Sequence, residues 1–364
     1  MSVPAQGGVI GVAVQAAKIG DGGTFTPGDY TWIRFKAPRV MFDIIQGDQL
    51  FPPEVGGGII PTGAYKDSMY PAGQFDVIPR LERSLPVLLK GIMGNASSVT
   101  GKDADGTSVA GVTTHVINFN PTTNYSIPWL AVRRMIPGAT ASDNYGQTAY
   151  DCKISSLRLT VPAAGKLAAR FTMVGRDVHQ EENPSWTWDN TYEAFQSSPD
   201  AGRGYLRIGG VEYPITGMVI DFNNSLTTPQ QEMIVGSFHP DDYVPLFRSM
   251  TLRFVYKWSN PDLYQQIFNG SASSNTWNSL PFLQDTSGAN FGFEASFQSP
   301  GNIGVTSQPY ELRVRGNRIT IAPDGPIELQ GGTILQQSFV ATILEPDTGD
   351  YAQFLITNGR TTCD

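Results

Sequence analysis

The chain has 364 residues, and its 33 Asp and Glu outnumber its 25 Lys and Arg, which gives a formal net charge of −8. This acidic balance argues against a protein that binds nucleic acid through a basic surface. No apolar run approaches the roughly 18 residues that a membrane span needs. The two cysteines, Cys152 and Cys363, form neither a disulfide framework nor a metal-binding pattern.

Glycine and proline occur at short intervals along the whole chain. The 39 Gly and 26 Pro residues exceed the average share of these two types, about 12%, and long windows of helical periodicity are absent. This composition is typical of many short strands joined by turns. A chain of this length also suits two domains of about 180 residues. We place the boundary in the polar stretch 196–203, which predicts one domain over residues 1–199 and another over 200–364.

The N-terminal segment 8–17 is apolar, but no Lys or Arg precedes Lys18. A secretory signal begins with positively charged residues, so this segment is predicted to be a buried or arm-like strand instead. With neither a signal nor a membrane span, we expect a soluble protein that is made in the cytoplasm of its host cell.

Two long segments rich in glycine and proline, residues 46–73 and 223–249, carry many apolar side chains. Loops longer than about 15 residues are usually functional or disordered, and these two are too apolar for disorder. Aromatic side chains are enriched in protein contact surfaces. We therefore predict two arms that reach a neighbouring subunit or the next layer of an assembly, with the candidate contact residues Leu50, Phe51, Val55, Ile60, Tyr65, Tyr70, Phe238, Tyr243 and Phe247. The polar segment 97–111 is predicted to be a mobile loop.

One short segment occurs twice. Ser84-Leu-Pro-Val-Leu-Leu-Lys-Gly-Ile-Met93 is matched without a gap by Ser259-Asn-Pro-Asp-Leu-Tyr-Gln-Gln-Ile-Phe268, close to half the chain length further on. In the first copy, apolar residues recur at the i, i+3, i+4, i+7 spacing of a helix with one apolar face. Each copy therefore predicts a short helix that packs on a flat surface.

Alternating apolar and polar residues predict strands around each helix, for example over Leu157 to Val161. Weaker echoes extend the repeat: residues 40–44 around Asp43 resemble residues 218–222 around Asp221, and 128–133 resembles 309–314. The same order of parts in both halves favours duplication. The predicted fold is mainly β, with two tandem related β-sandwich or barrel domains that each carry one short flanking α-helix. One such chain can occupy two quasi-equivalent places in a ring.

Residue types that carry chemistry are present but form no recognisable pattern. His115, His179 and His239 have no partner histidine at i+3 or i+4 of the kind a zinc or iron site favours. A Gly-x-Ser-x-Gly elbow is absent, and Gly101-Lys102-Asp103 lacks the Ser or Thr of a phosphate-binding loop. We predict no catalytic, cofactor-binding or metal-ligating residues, and a protein that is not an enzyme.

Two other functional classes remain open. A carbohydrate-binding β-protein would present Trp186, Trp188 or Trp277 on one exposed face, although alternating aromatic residues on a half-buried strand also explain the first two. A hydrolase would need a pocket that converges on one of the three histidines.

A series of features follows in order along the chain: the extended N-terminal segment, Ser84-Leu-Pro to Met93-Gly-Asn, Thr114-His-Val-Ile-Asn-Phe119, Ile127-Pro-Trp to Arg133, Tyr145-Gly, the strand pair from Ile154 to Gly175, and Gly210-Val-Glu-Tyr-Pro-Ile-Thr. In this order they resemble the duplicated tail tube proteins, or major tail proteins, of long-tailed bacteriophages. The resemblance covers nearly the whole chain. The length of the first arm, 46–73, departs from the pattern and keeps a tail terminator or baseplate protein as an alternative.

This resemblance implies a structural virion protein without a cofactor. Six β-domains would form each ring, so three chains would form a pseudo-hexameric ring, and stacked rings would form a hollow tail tube that delivers DNA. The implied partners are other copies of the chain, the tape measure, terminator and distal tail or baseplate proteins, and phage DNA that passes without specific binding; no membrane is involved. An acidic bore would let DNA slide, because like charges repel.

Overall fold

The computed structural model describes residues 8–20, 31–33, 42–52, 55, 57, 59–119, 126–182, 184, 195–269, 292–327, 334–345 and 351–363. The predicted mainly β fold is confirmed, and the described part contains two α-helices, α1 (Ser84–Met93) and α2 (Asp262–Asn269). The strands of the first part are β1 (Val9–Val14), β2 (Thr31–Ile33), β3 (Phe42–Leu50), β4 (Ala64–Val77), β5 (Asn95–Lys102), β6 (Ser108–Asn118), β7 (Leu130–Ile136), β8 (Tyr145–Val161), β9 (Ala168–Val174) and β10 (Asp177–Glu182). Those that follow are β11 (Gly204–Ile208), β12 (Val211–Glu212), β13 (Ile215–Leu226), β14 (Pro245–Lys257), β15 (Phe293–Asn302), β16 (Pro309–Gly316), β17 (Ile319–Pro323), β18 (Gln336–Ile343) and β19 (Ala352–Asn358).

Eight antiparallel strands lie side by side in the order β3-β4-β9-β8-β13-β14-β18-β17. They divide into a first strand set, β3-β4-β9-β8, and a second strand set, β13-β14-β18-β17. In each set the order across the sheet is the first, second, fourth and third strand along the chain, and the helix α1 or α2 follows the second strand. The predicted duplication therefore appears as a repeated topology.

The two strand sets also share a register. Phe75 and Phe171 are cross-strand partners with ring centroids 5.6 Å apart, and Phe254 and Phe339 are cross-strand partners with centroids 5.5 Å apart. Asp43 pairs with the residue three positions before Phe75, and Asp221 pairs with the residue three positions before Phe254. This register agrees with the predicted equivalence of the two aspartates.

A second layer is a seven-stranded antiparallel sheet in the order β12-β11-β15-β16-β19-β6-β5. Buried side chains of both sheets, such as Phe254 and Phe297, belong to one continuous core cluster. Strands from both sides of residue 200 pair in each sheet, β8 with β13 and β6 with β19. The division into domains at 199 and 200 thus stays a proposal.

The N-terminal half of the long strand β8 extends the larger sheet. It pairs with β7 and β10, and β7 continues through β1 to β2. The apolar segment 8–17 therefore contributes a strand, β1, whose Ile10 and Val12 are buried, as its composition predicts.

The two helices differ in their surroundings. Nine of the ten residues of α1 are buried and Lys90 is the exception, so the predicted apolar face is buried together with most of the opposite side of the helix. The helix lies so close to β7 that a Cβ on Gly91 would come 2.8 Å from Leu130 Cδ1. In α2 only Leu263 is buried. Equivalent sequences thus occupy a core position in one strand set and a peripheral position in the other.

Three further sequence expectations need correction. The segment 46–73 is not a loop, because β3 and β4 continue into it as a hairpin, and 223–249 likewise contains the ends of β13 and β14. The segment 97–111 forms most of the β5–β6 hairpin rather than a mobile loop. The echo of 128–133 in 309–314 does not mark equivalent strands, since β7 and β16 lie in different sheets.

Candidate assembly surfaces

The eight-stranded order ends in two open edges, β3 and β17. Within the described residues, β3 pairs only with β4 and β17 only with β18. Met69 of β4 donates its amide away from β3, to Phe238 O at 2.8 Å, so its partner Gln46 directs its own amide to the outer edge. One outward carbonyl, that of Phe42, accepts from Arg134 at 2.7 Å. Edges of this kind are ready to pair with another chain.

The junction between the two strand sets is such an edge pairing made within one chain. Six residues of β8, from Ser156 to Val161, pair with six residues of β13, from Met218 to Asn223. On the exposed face, Arg158 donates two hydrogen bonds to Asp221, at 2.7 and 3.1 Å. This bidentate bond raises the pKa of Arg158.

The face of this sheet that points away from the core is polar at its centre. Its central row crosses seven strands and consists of Asp76, Arg170, Arg158, Asp221, Thr251, Thr342 and Thr320. The two rows beside it contain Arg253 as their charged residue and are otherwise Gln, Asn, Thr, Ser, Ala and Val. Arg170 donates to Asp76 at 2.6 and 3.0 Å. These three rows carry three cations and two anions, so the charges on this part of the face nearly balance.

The first hairpin, β3 and β4 with the connecting residues 51–63, carries exposed apolar side chains. Leu50 is 63% exposed and Ile60 is 73% exposed. Phe51 and Tyr65, also exposed, have ring centroids 5.3 Å apart. The other two predicted contact residues of this hairpin differ in exposure: Val55 is fully exposed and Tyr70 is half-buried.

The second hairpin, β13 and β14 with the connecting residues 227–244, folds back on the first. Besides the bond from Met69 to Phe238 O, His239 Nδ1 lies 2.9 Å from Met69 O. Phe238 and Phe247 keep exposed side chains. Tyr243 is fully buried and its hydroxyl donates to Gly175 O at 3.2 Å, so it serves the fold of this chain, and we do not include it in a contact surface.

A buried lysine holds the second hairpin in this position. Lys153 Nζ, on β8, lies 2.8 Å from Asp242 Oδ1 and 2.7 Å from Tyr243 O. Its ammonium is also 5.1 Å from the ring centroid of Trp129, whose Nε1 donates to Asp242 at 3.0 Å. Burial lowers the pKa of Lys153, and the bond to Asp242 opposes that effect. Sequence reasoning missed this cluster, since no local spacing links Lys153 to residue 242.

Asp151, next to this lysine, fixes the N-terminal segment. It is buried, has a positive φ of 50° and accepts hydrogen bonds from Gln15 Nε2 at 2.7 Å, Ile19 N at 2.9 Å and Gly20 N at 3.1 Å. Lys18 in the same segment forms an ion pair with Asp241. The N-terminal segment and the second hairpin therefore meet at residues 151–153.

On the smaller sheet, Arg313 connects strands to the β5–β6 turn. Its side chain is 4% exposed and pairs with Glu311 at 2.8 Å and with Asp105 at 2.6 Å. The bond from Arg313 lowers the pKa of Asp105. Asp103 accepts from two amides within the same turn. These contacts explain why the polar segment 97–111 is ordered.

The histidines occupy separate places. His115 is buried, with Nδ1 2.8 Å from Ser98 Oγ and Nε2 2.9 Å from Asn358 Oδ1. Asn358 in turn donates to Leu81 O at 2.9 Å, so this chain of bonds joins β5, β6 and β19 to the turn before α1. His179 lies on β10 and His239 in the second hairpin. Within the described ranges, His, Cys, Asp and Glu side chains form no group of three that could hold a metal ion.

The tryptophans of the carbohydrate-binding alternative, Trp186, Trp188 and Trp277, lie outside the described residues. Among the helices that the structure describes, none has the length and apolar character to cross a membrane.

The chain matches a known protein family. A family model described as phage tail tube protein matches residues 12–341, whereas no curated protein matches the chain. The matched region contains both strand sets and both helices. Since it spans most of the 364 residues, the chain belongs to the phage tail tube protein family.

Proposed function

We propose that three copies of this chain close into a ring and that the rings stack into the hollow tube through which phage DNA is delivered. The observation that carries the proposal is the junction of β8 with β13. It joins the last strand of the first set to the first strand of the second, and the repeated topology leaves the corresponding strands, β17 and β3, as open edges. Pairing of β17 with β3 of the next copy would repeat the internal junction, and a heterologous contact of this kind forms a ring when the rotation between copies closes.

The number of strands supports three copies. With strands about 4.8 Å apart and nearly parallel to the tube axis, the sixteen strands of two copies would enclose about 25 Å between backbones. Side chains on both walls would reduce this to less than the width of a DNA duplex. Twenty-four strands from three copies would enclose at least about 37 Å, which leaves room for the duplex.

The polar face of the eight-stranded sheet is the surface we assign to the bore. Its three central rows lack large apolar side chains, and two of its three arginines are paired with Asp76 and Asp221. Paired arginines have fewer donors left for phosphate groups. DNA would therefore pass this surface without strong binding.

The protein's role is structural in this proposal, without catalysis and without a cofactor. Members of the phage tail tube family are parts of the virion tail. We infer assembly in the host cytoplasm, with further contacts to the tape measure protein and to the proteins at the two ends of the tube.

Negative-stain electron microscopy of the purified protein, concentrated at moderate salt, tests this function together with light scattering. Rings or hollow filaments with three chains in each layer are the expected result. Monomers that persist even after addition of tail-initiator proteins would overturn it. A single ring that never stacks would favour the terminator or baseplate alternative.

A further inference from the structure

The second hairpin contacts β4 around Met69, and the chain contains a second, equivalent stretch of strand. Met69, whose backbone binds Phe238 and His239, lies six residues before Phe75. Arg248 lies six residues before Phe254, the phenylalanine that corresponds to Phe75. Arg248 also pairs with β13 as Met69 pairs with β3. The stretch of β14 around Arg248 is therefore the counterpart of the surface that the second hairpin covers.

This stretch of β14 carries two exposed apolar side chains beside the partly buried Arg248, whose guanidinium lies over the ring of Phe119. β18 pairs with β14 from Thr251 onward, so residues 245–249 have no strand on that flank within the described part of the chain. Val244, Leu246 and Phe247 are exposed there, Leu246 by 65% and Phe247 by 66%.

The first hairpin is the counterpart of the second, and the described residues near its tip are exposed. Counting from the equivalent aspartates and phenylalanines, Phe238 corresponds to Ile59 or Ile60 of the first hairpin. Both isoleucines are exposed, by 95% and 73%. Within one chain, the second hairpin covers the surface of β4 around Met69. In the described residues, the first hairpin and the equivalent surface of β14 around Arg248 do not contact each other in the same way.

We propose that residues 59–60 of the first hairpin of one copy pair with residues 246–248 of β14 in the next copy of the same ring, as Phe238 and His239 pair with Met69 within one chain. The inference rests on the proposed ring, since it adds a second contact beside the β17–β3 pairing. It assigns the exposed apolar side chains of the first hairpin to a contact within a ring and not to a contact between stacked rings.

The geometry of the contact can be tested by disulfide formation in assembled protein. The variant Ile60→Cys/Phe247→Cys is oxidised after assembly and separated on a non-reducing denaturing gel. Since each copy pairs with the next and the ring closes after three, the expected covalent products contain two and three chains and nothing larger. The native thiols do not interfere, because Cys152 and Cys363 are both buried.

The matched control is the internal contact, Ser68→Cys/Phe238→Cys, because Ser68 precedes Met69 as Phe247 precedes Arg248. It is expected to form a disulfide within one chain, before and after assembly. If the first double variant fails to assemble, Ile60→Cys and Phe247→Cys are each mixed into excess wild-type protein. The mixture of the two, and neither alone, should then give two-chain products.

Products larger than three chains would place the first hairpin against a stacked ring and overturn the proposal. Tubes without any cross-link between chains, or with a disulfide within one chain, would also overturn it while the proposed function stands. Failure of the wild-type protein to form rings would instead reject the proposed function itself.

Discussion

Arg158 of β8 and Asp221 of β13 are cross-strand partners joined by two hydrogen bonds, and they mark the line where the two strand sets meet. The same chain thus contains within itself one copy of the contact that the proposed ring would make between its chains. In the described residues β17 and β3 are the edge strands of the eight-stranded order. The junction of β8 with β13 therefore shows the geometry that we propose for β17 and β3 of neighbouring copies.

The Arg158–Asp221 pair is expected to add little stability to the folded chain. Arg158 is 54% exposed in its side chain, and exposed ion pairs contribute about 0.5 kcal/mol. A double-mutant cycle with Arg158→Ala and Asp221→Ala, measured by chemical denaturation, should give a coupling free energy of this size. A coupling of several kcal/mol would contradict the view that the backbone ladder holds the junction.

Gln46→Pro should block assembly and leave the isolated chain folded. The Gln46 amide points to the outer edge of β3, so proline removes a donor that only a neighbouring strand would use. The control Gln46→Ala keeps the amide and should assemble. The two variants can be compared by light scattering and by their free energies of unfolding. Normal rings from Gln46→Pro would show that β3 does not pair between copies.

Removing the aspartates of the polar face of the eight-stranded sheet should make the tube retain DNA. In Asp76→Asn/Asp221→Asn, Arg170 and Arg158 lose their ionic partners and become available to phosphate groups. Assembled tubes of this variant should bind short linear duplexes more tightly than wild-type tubes at about 50 mM salt, and the difference should vanish at higher salt. The control is Gln74→Asn/Asn223→Gln, in the neighbouring neutral row. Equal binding by all three proteins would mean that this face does not meet DNA.

Substitutions of Asp242 and of Lys153, the ion pair that holds the second hairpin, should lower the free energy of unfolding by different amounts. Asp242→Ala leaves the 3% exposed Lys153 ammonium without its carboxylate, which should lower the free energy of unfolding by about 3 kcal/mol. Lys153→Met should cost about 1 kcal/mol, because Asp242 is partly exposed and keeps the bond from Trp129. Chemical denaturation of both variants tests this order, and equal losses would contradict it.

Acid should weaken the contact between Asp105 and Arg313. The bond from Arg313 holds the pKa of Asp105 below its ordinary value of 3.8, while burial acts in the opposite direction. The pair therefore stabilises the fold above the ordinary pKa, and this stabilisation is lost as the pH falls through the lowered pKa. Between about pH 5 and about pH 2.5, the unfolding free energy of Asp105→Asn should fall less steeply than that of the wild type. Asp324→Asn, outside the network, controls for the lost charge.

The repeat was the part of the fold that could be predicted from the sequence. The matched helices and the two aspartates belong to short segments whose similarity can be recognised in both halves of the sequence, so they predict two related strand sets. Strand alternation likewise predicts β8, β14 and β17, because the period of two depends on neighbours along the chain.

Features that depend on contacts distant in sequence were missed. Glycine and proline in 46–73 suggested a loop, yet pairing of β3 with β4 overrides those local preferences. The surroundings of α1 were also missed, since its packing between β6 and β8 is decided by the tertiary fold. The net charge of the chain did not predict the charge of the polar face of the eight-stranded sheet, because pairing across strands places Asp76 beside Arg170 and Asp221 beside Arg158.

A cryo-electron microscopy map of the assembled tube at strand resolution tests the ring most directly. Three chains are expected in each ring, with β17 of one copy antiparallel to β3 of the next and the row of Asp76, Arg170, Arg158 and Asp221 facing the bore. Any other number of chains, or β3 and β17 edges that contact different elements, would contradict it.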